Sequence, residues 1–187
     1  MACKLRVSGI VEDSIVDGPG LRLCVFVQGC PHHCPGCHNP QTHDFNAGSE
    51  MDLQDIFRKY TENPLLSGVT FSGGEPFCQA GPLAILGSMI HEAGGEVITY
   101  TGYLYEDLIR QSAHDRNVAG LLAVTDLLID GPYMEELRSL EAPFRGSRNQ
   151  RLLLIRQGLA AGTAPEPLTL PLQSMTPLPG GIDPASH

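Results

Sequence analysis

The sequence predicts an α/β fold with a mostly parallel sheet, because short β-rich runs alternate with helix-like segments along most of the chain. Two further observations support this class. With 187 residues, the chain is long enough for one domain with a substantial core. A cysteine-rich loop and a glycine turn each follow a β-rich run directly, which is typical of ligand-binding segments at the carboxyl ends of parallel strands.

The elements can be assigned in chain order. Residues 21–27 (LRLCVFV) predict a buried strand between the turn that begins at Asp17 and the residue Gly29. Ser49 and Asp52 predict a capped helix start, and apolar side chains then recur at helical spacing from Leu53. The remaining predictions are strands at 68–72, 96–101, 125–130 and 151–155, and helices at 82–93 and 104–111.

The last 30 residues differ from the rest of the chain. Six of the 15 prolines lie between Pro165 and Pro184, with almost no charge and no periodicity. Such a segment buries too little apolar surface to offset its ordering entropy. We therefore predict one folded domain at 1–157 and a disordered tail at 158–187 that takes no part in catalysis.

Charge and targeting patterns narrow the possible partners. The net charge is −9 and only 12 residues are Lys or Arg, which gives no case for binding nucleic acid or an anionic membrane. The start MACKLRVSG is unlike a secretory signal, and no run approaches the roughly 18 apolar residues of a membrane span. We expect a cytoplasmic protein in a reducing compartment, where clustered cysteines bind metal or do chemistry more often than they form disulfides.

Five of the basic residues fall in one late stretch. This stretch is interpreted either as a solvated face or as a docking patch for an acidic partner or ligand. Its members are Arg138, Arg145, Arg148, Arg151 and Arg156.

Three of the six cysteines, Cys30, Cys34 and Cys37, lie within eight residues at the spacing C-x-x-x-C-x-x-C. Thiolates suit zinc, copper(I) and iron–sulfur clusters, and a closed structural site takes four protein ligands. Three ligands therefore indicate a centre with an open position. Zinc remains an alternative on spacing alone, with a fourth ligand from His32, His33 or His38.

The run FSGGEP from Phe71 follows the second predicted strand. Gly73 and Gly74 allow backbone groups to approach a ligand closely, and Glu75 offers a carboxylate to a ligand ammonium. A Gly-Gly-Glu turn alone is a weak signal. It gains weight because the cysteine loop is expected at the same edge of the sheet.

Three motifs in order carry a resemblance to a known family. DGPGLR from Asp17, GCPHHCPGCHNP from Gly29 and FSGGEP from Phe71 together resemble the radical S-adenosylmethionine enzymes that activate glycyl-radical enzymes. Within that group, TGY at Thr101, DGPY at Asp130 and the run FRGSRNQ at 144–150 are similar to the activating proteins of anaerobic ribonucleoside-triphosphate reductase. The similarity covers roughly residues 5–157.

The resemblance implies a partial (β/α) barrel and a set of cofactor contacts. Cys30, Cys34 and Cys37 would hold a [4Fe-4S] cluster, and S-adenosylmethionine would chelate its fourth iron. Gly73, Gly74 and Glu75 would hold the methionyl end, with Glu75 on the ammonium. Further cofactor contacts are expected along the segment Gly36, Cys37 and His38, where Gly36 replaces an aromatic common in the superfamily and His38 offers a ring.

The resemblance also implies two protein partners. One electron from flavodoxin or a similar donor would cleave S-adenosylmethionine, and the resulting radical would take hydrogen from a glycine of a glycyl-radical enzyme. Asp17 and Arg22 are our candidates for positioning that glycine, the alternative being an ordinary turn before a strand. Two other functions remain open at this point: a small-molecule radical S-adenosylmethionine enzyme, such as a deazapurine-forming synthase, and a zinc-binding interaction module.

Overall fold

A seven-stranded sheet organises the protein in the computed structural model, which describes residues 3–156, 158, 165, 167 and 168. The strands run in the order β3-β1-β2-β4-β5-β6-β7 across the sheet. The four central strands β2, β4, β5 and β6 are parallel, and the outer pairs are antiparallel. The strands are β1 Lys4–Ser14, β2 Arg22–Val27, β3 Ser49–Asp52, β4 Gly68–Gly73, β5 Glu96–Tyr100, β6 Leu127–Asp130 and β7 Arg151–Leu154.

The predicted α/β class and the mostly parallel central sheet are confirmed. The barrel is not confirmed, because pairing among the described residues runs from β3 at one edge to β7 at the other. The helices are α1 Leu53–Glu62, α2 Ala80–Glu92, α3 Tyr105–Ser112 and α4 Arg116–Val124. Within the described part of the chain, no helix is long and apolar enough to cross a membrane.

The predicted start of α1 needs one correction. Ser49 lies in β3, where it pairs with Val7 of β1, and the helix begins only at Leu53. Asp52 is the N-cap, and its side chain accepts a hydrogen bond from Gln54 N at 3.0 Å. The backbone of residues 49–52 pairs with β1, so these residues cannot belong to the helix.

Apolar side chains on the two faces of the sheet form two cores. One core joins strand residues such as Val25, Val69 and Phe71 to buried residues of the helices. The smaller core lies on the opposite face and consists of Ile98, Leu127, Ile129 and Leu152. This alternation follows from the two-residue period of β-strands.

Part of the predicted tail contacts the smaller core. Pro167 forms a bridge with Leu153, and Leu168 N donates to Leu152 O at 2.7 Å. Most of 158–187 lies outside the described residues, so its predicted disorder stays a prediction.

The four parallel strands end at one edge of the sheet, since parallel neighbours share a direction. The register pairs Val27 of β2 with Gly73 of β4, which brings the cysteine loop and the glycine turn to that edge side by side. Residues 101–103 follow β5 and residues 131–133 follow β6 at the same edge. The expectation that the cysteine loop and the glycine turn share one edge is thus confirmed.

Candidate functional site

A cavity of about 520 Å³ opens at this edge of the sheet. Its wall includes all three clustered cysteines, Cys30, Cys34 and Cys37, together with Gly73 and Gly74. The volume falls in the range of small-molecule sites. The structure therefore brings the two strongest sequence motifs together around one space.

Backbone hydrogen bonds shape the cysteine loop. Cys30 N donates to His43 O at 3.2 Å, and Cys37 N donates to Cys34 O at 3.1 Å. Asn39 N points at Cys37 Sγ from 3.4 Å. Cys30 is 8% exposed, and burial raises the pKa of its thiol. A bound metal centre would favour the thiolate at this position, because thiolates and not thiols are ligands.

The donor set is chemically suited to a cluster. Among the described residues, no three His, Cys, Asp or Glu side chains lie close enough together to hold one metal ion. In a four-iron cluster each thiolate binds a different iron, so the thiols need not converge on one point. The three remaining cysteines are not part of the cavity wall. They are Cys3, Cys24 and Cys78.

The glycine turn packs directly on the cysteine loop. Gly73 has φ +92°, and a Cβ there would lie 2.7 Å from Phe26 Cα. A Cβ on Gly74 would lie 2.4 Å from Gly29 O. Gly74 N also donates to Val27 O at 2.8 Å. Only glycine permits this approach, which exposes the turn's backbone to the cavity.

Glu75 follows the glycine turn and lies behind the cavity wall. It is fully buried. Its carboxylate accepts hydrogen bonds from Phe77 N at 3.0 Å, Gly102 N at 2.9 Å and the Thr101 hydroxyl at 3.0 and 3.1 Å. His32 Nε2 lies 2.7 Å from Oε2. Protein groups surround this carboxylate and it holds three loops together in this structure, and its predicted role on a ligand ammonium stays a prediction.

The structure separates the two residues predicted to position a substrate glycine. Asp17 is half-buried in the cavity wall, where Ser14 Oγ donates to its Oδ2 at 2.5 Å. Arg22 is the first residue of β2, at the end of the strand away from the cysteine loop, and is 0% exposed. Burial lowers the pKa of Arg22 to about 10.

Arg22 acts through the backbone of its neighbours. Its Nη1 donates to Pro19 O at 3.1 Å, and its Nη2 donates to Val69 O at 2.8 Å. Its Nε donates to Thr70 Oγ1, which in turn donates to Asp17 O. Arg22 therefore holds the turn that carries Asp17, and its predicted part in positioning a substrate glycine would be exerted through that turn.

The segment after Cys34 has two different environments. Gly36 is exposed with φ +68°, and a Cβ there would lie 2.7 Å from the Glu135 carboxyl carbon. Gly36 is absent from the cavity wall, and its predicted cofactor contact stays a prediction. His38 does line the cavity, with its ring centroid 4.8 Å from that of Tyr133.

The cavity wall also contains residues that the sequence analysis named only as members of motifs or of the late basic stretch, without a place in the site. Tyr100 ends β5 and Thr101 follows it, and Tyr133, Phe144 and Arg145 come from the connection after β6. Three of the predicted motifs, TGY, DGPY and FRGSRNQ, contain most of them. The usable signal was their position directly after predicted parallel strands, where ligands bind.

Comparison with known proteins gives a consistent family. Residues 16–153 match the model of the 4Fe-4S single cluster domain. The anaerobic ribonucleoside-triphosphate reductase-activating protein of Salmonella typhi is 34% identical over 144 residues, covering 73% of this chain and 90% of that protein. Its counterpart in Escherichia coli (strain K12) is 31% identical over 151 residues, with the same coverage.

A second group of relatives is longer than this chain. The pyruvate formate-lyase-activating enzyme of Listeria monocytogenes is 36% identical over 129 residues, covering 66% of this chain and 51% of that enzyme. The solved structure of QueE from Escherichia coli aligns with 53% of this chain at a TM-score of 0.42 and 15% identity, which is too distant to carry an argument.

Proposed function

Since this chain belongs to the family of anaerobic ribonucleoside-triphosphate reductase-activating proteins and carries a 4Fe-4S single cluster domain, we propose that it generates a glycyl radical on such a reductase. It would use a [4Fe-4S] cluster and S-adenosylmethionine, with flavodoxin or a similar cytoplasmic protein as electron donor. The observation that carries the proposal is the meeting of three cysteines and a glycine turn in one cavity wall.

The residues of the cavity fit this cofactor pair. Cys30, Cys34 and Cys37 would hold the cluster, leaving one iron for the amino and carboxylate groups of S-adenosylmethionine. When bound, the pair supplies the one-electron cleavage that leads to hydrogen abstraction from a glycine. Gly73 and Gly74 would place backbone groups against the methionyl end, because their lack of side chains leaves that surface open.

The protein's own part is to orient the reactants and keep water out. Glu75 fixes the loops after β4 and β5 through hydrogen bonds to Phe77, Thr101 and Gly102. Asp17 stands in the cavity wall, and its backbone carbonyl accepts a hydrogen bond from Thr70 Oγ1 of β4. We assign it the positioning of the partner's glycine.

Coverage supports the reductase as the partner. This chain spans 90% of the reductase activators and about half of the pyruvate formate-lyase activators. Activation of pyruvate formate-lyase is the second candidate function, supported by 36% identity over 129 residues.

The test uses anaerobically reconstituted protein, a chemical reductant and S-adenosylmethionine. With an anaerobic ribonucleoside-triphosphate reductase from the same host, we expect a glycyl radical by electron paramagnetic resonance, with methionine and 5′-deoxyadenosine as products. Cys34→Ala should form none. A radical on pyruvate formate-lyase alone would overturn the choice of partner, and the absence of both products would overturn the chemistry.

A further inference from the structure

Arg145 brings a guanidinium into the cavity that the protein uses only in part. Its Nη1 donates to Gln150 O at 3.3 Å, a long contact. Its Nε is buried and has no hydrogen-bond partner among the described residues. Buried donors in native proteins are nearly always satisfied, so an unsatisfied one in a cavity wall indicates a group that arrives with a ligand.

The backbone around Arg145 is held in an uncommon conformation. Phe144 has φ +59°, in the left-handed region that side chains other than glycine rarely adopt. The Tyr100 hydroxyl donates to Phe144 O at 2.7 Å, and Gly146 N donates to Gln150 Oε1 at 2.9 Å. Such strain persists where surrounding contacts impose it, and it concentrates at ligand sites.

The same segment packs over the cysteine loop. A Cβ on Gly146 would lie 3.1 Å from Tyr133 and 3.4 Å from the ring of His38, the residue after Cys37. The Arg145 side chain therefore enters the cavity from a backbone that already touches the proposed cluster segment. Among the described residues, no carboxylate pairs with this guanidinium, and the charged residues that line the cavity beside Arg145, apart from histidines, are Asp17 and Arg138.

We propose that Arg145 binds the carboxylate of S-adenosylmethionine, an inference that rests on the proposed function. With one carboxylate oxygen on the iron, the other oxygen would accept from a guanidinium N–H, and a partly buried site strengthens such a charge-assisted contact. Arg145 is the half-buried arginine of the cavity, whereas Arg138 is exposed. Arg145 would thus bind and orient the amino-acid end of the ligand.

The experiment measures ligand affinity on reconstituted protein without partner enzyme. For Arg145→Gln we expect S-adenosylmethionine to bind about 10- to 100-fold more weakly, the size of one lost charge-assisted contact. The affinity of Arg145→Lys for S-adenosylmethionine should lie between those of wild type and Arg145→Gln. Decarboxylated S-adenosylmethionine lacks the group in question, so wild type and Arg145→Gln should bind it with the same affinity.

Arg148→Gln is the matched control, because Arg148 is exposed, lies in the same segment and is absent from the cavity wall. It should bind both ligands as wild type does. Equal loss of affinity for both ligands in Arg145→Gln and Arg145→Lys, or no loss for either, would overturn the inference. If wild type forms the cluster and activates the reductase in those cases, the proposed function stands; if wild type fails to bind S-adenosylmethionine, both fall.

Discussion

The buried carboxylate of Glu75 is expected to stabilise the loops around the cavity. Glu75→Ala removes the acceptor of Phe77 N, Gly102 N and the Thr101 hydroxyl, leaving buried donors without partners. We expect the free energy of unfolding to fall by about 2 to 5 kcal/mol, measured by chemical denaturation. The exposed Glu92→Ala on α2 is the control and should change it little.

The opposite result for Glu75 has a clear meaning. Wild-type stability combined with a selective loss of S-adenosylmethionine affinity would return this carboxylate to the ligand, as the motif first predicted.

Asp17 is expected to act on the partner's glycine and not on the cofactor. Asp17→Asn should lower the yield of glycyl radical more than it lowers slow, uncoupled cleavage of S-adenosylmethionine, measured by spin counting and by 5′-deoxyadenosine formation. Ser14→Ala, which removes a hydrogen-bond donor to Asp17 but keeps its carboxylate, should have the smaller effect. Equal losses in both reactions would place Asp17 in the cofactor site.

At single residues, the sequence predicted the loops better than the roles within them. Cysteine spacing and paired glycines indicate their chemistry directly, and the structure places all five of these side chains or backbones in one wall. Arg22 and Glu75 have roles that depend on contacts between strands and loops far apart in the chain. A motif states the order of residues but not which end of a strand faces the cavity.

At the level of elements, Arg151 ties β7 to β6 and α3. Its Nε donates to the buried Asp130 Oδ1 at 2.9 Å, and its Nη1 donates to the exposed Glu106 Oε1 at 3.0 Å. Arg151→Met leaves Asp130 as a buried charge that keeps the hydrogen bond from Tyr105 N. We expect a loss of about 3 kcal/mol in the free energy of unfolding by denaturant titration.

Glu106→Gln serves as the comparison for Arg151→Met. Hydrogen bonds from Arg151 lower the pKa of Glu106 to about 2, but the side chain is 56% exposed and water screens the pair. The Glu106–Arg151 pair should contribute less than about 1 kcal/mol to the free energy of unfolding. A lowered pKa means that this contribution is present above the usual carboxyl range and is lost as the pH falls toward 2. A larger loss in Glu106→Gln than in Arg151→Met would contradict this ranking.

The elements missed from the sequence have identifiable causes. β1 contains Gly9 and two irregularities in its pairing with β2, which obscure the alternation of a regular strand. β3 is four residues long and pairs only because β1 lies beside it. Helix α4 had a signal in the sequence. Asp115 is its N-cap and accepts a hydrogen bond from Asn117 N, and the buried residues Val118, Leu121 and Leu122 follow at helical spacing.

For the whole molecule, the arrangement of layers explains why one edge can be reactive. Helices pack with one face of the sheet, a small core lies on the other, and the carboxyl ends of the parallel strands stay open. The chain as a whole is acidic, with a net charge of −9, whereas the cavity wall contains two arginines. The late basic stretch therefore divides: Arg138 and Arg145 face the cavity, whereas Arg151 and Arg156 form ion pairs within the fold.

The iron and sulfide content of anaerobically reconstituted protein tests the central claim most directly, because the chain contains its own controls. Wild type, Cys3→Ser and Cys78→Ser should bind about four irons and four sulfides, whereas Cys30→Ser, Cys34→Ser and Cys37→Ser should lose most of this content. The thiols of Cys30, Cys34 and Cys37 line the cavity, and those of Cys3 and Cys78 do not. Stoichiometric zinc without iron in wild type, or loss of iron in Cys78→Ser with retention in Cys34→Ser, would contradict a three-cysteine cluster in this cavity.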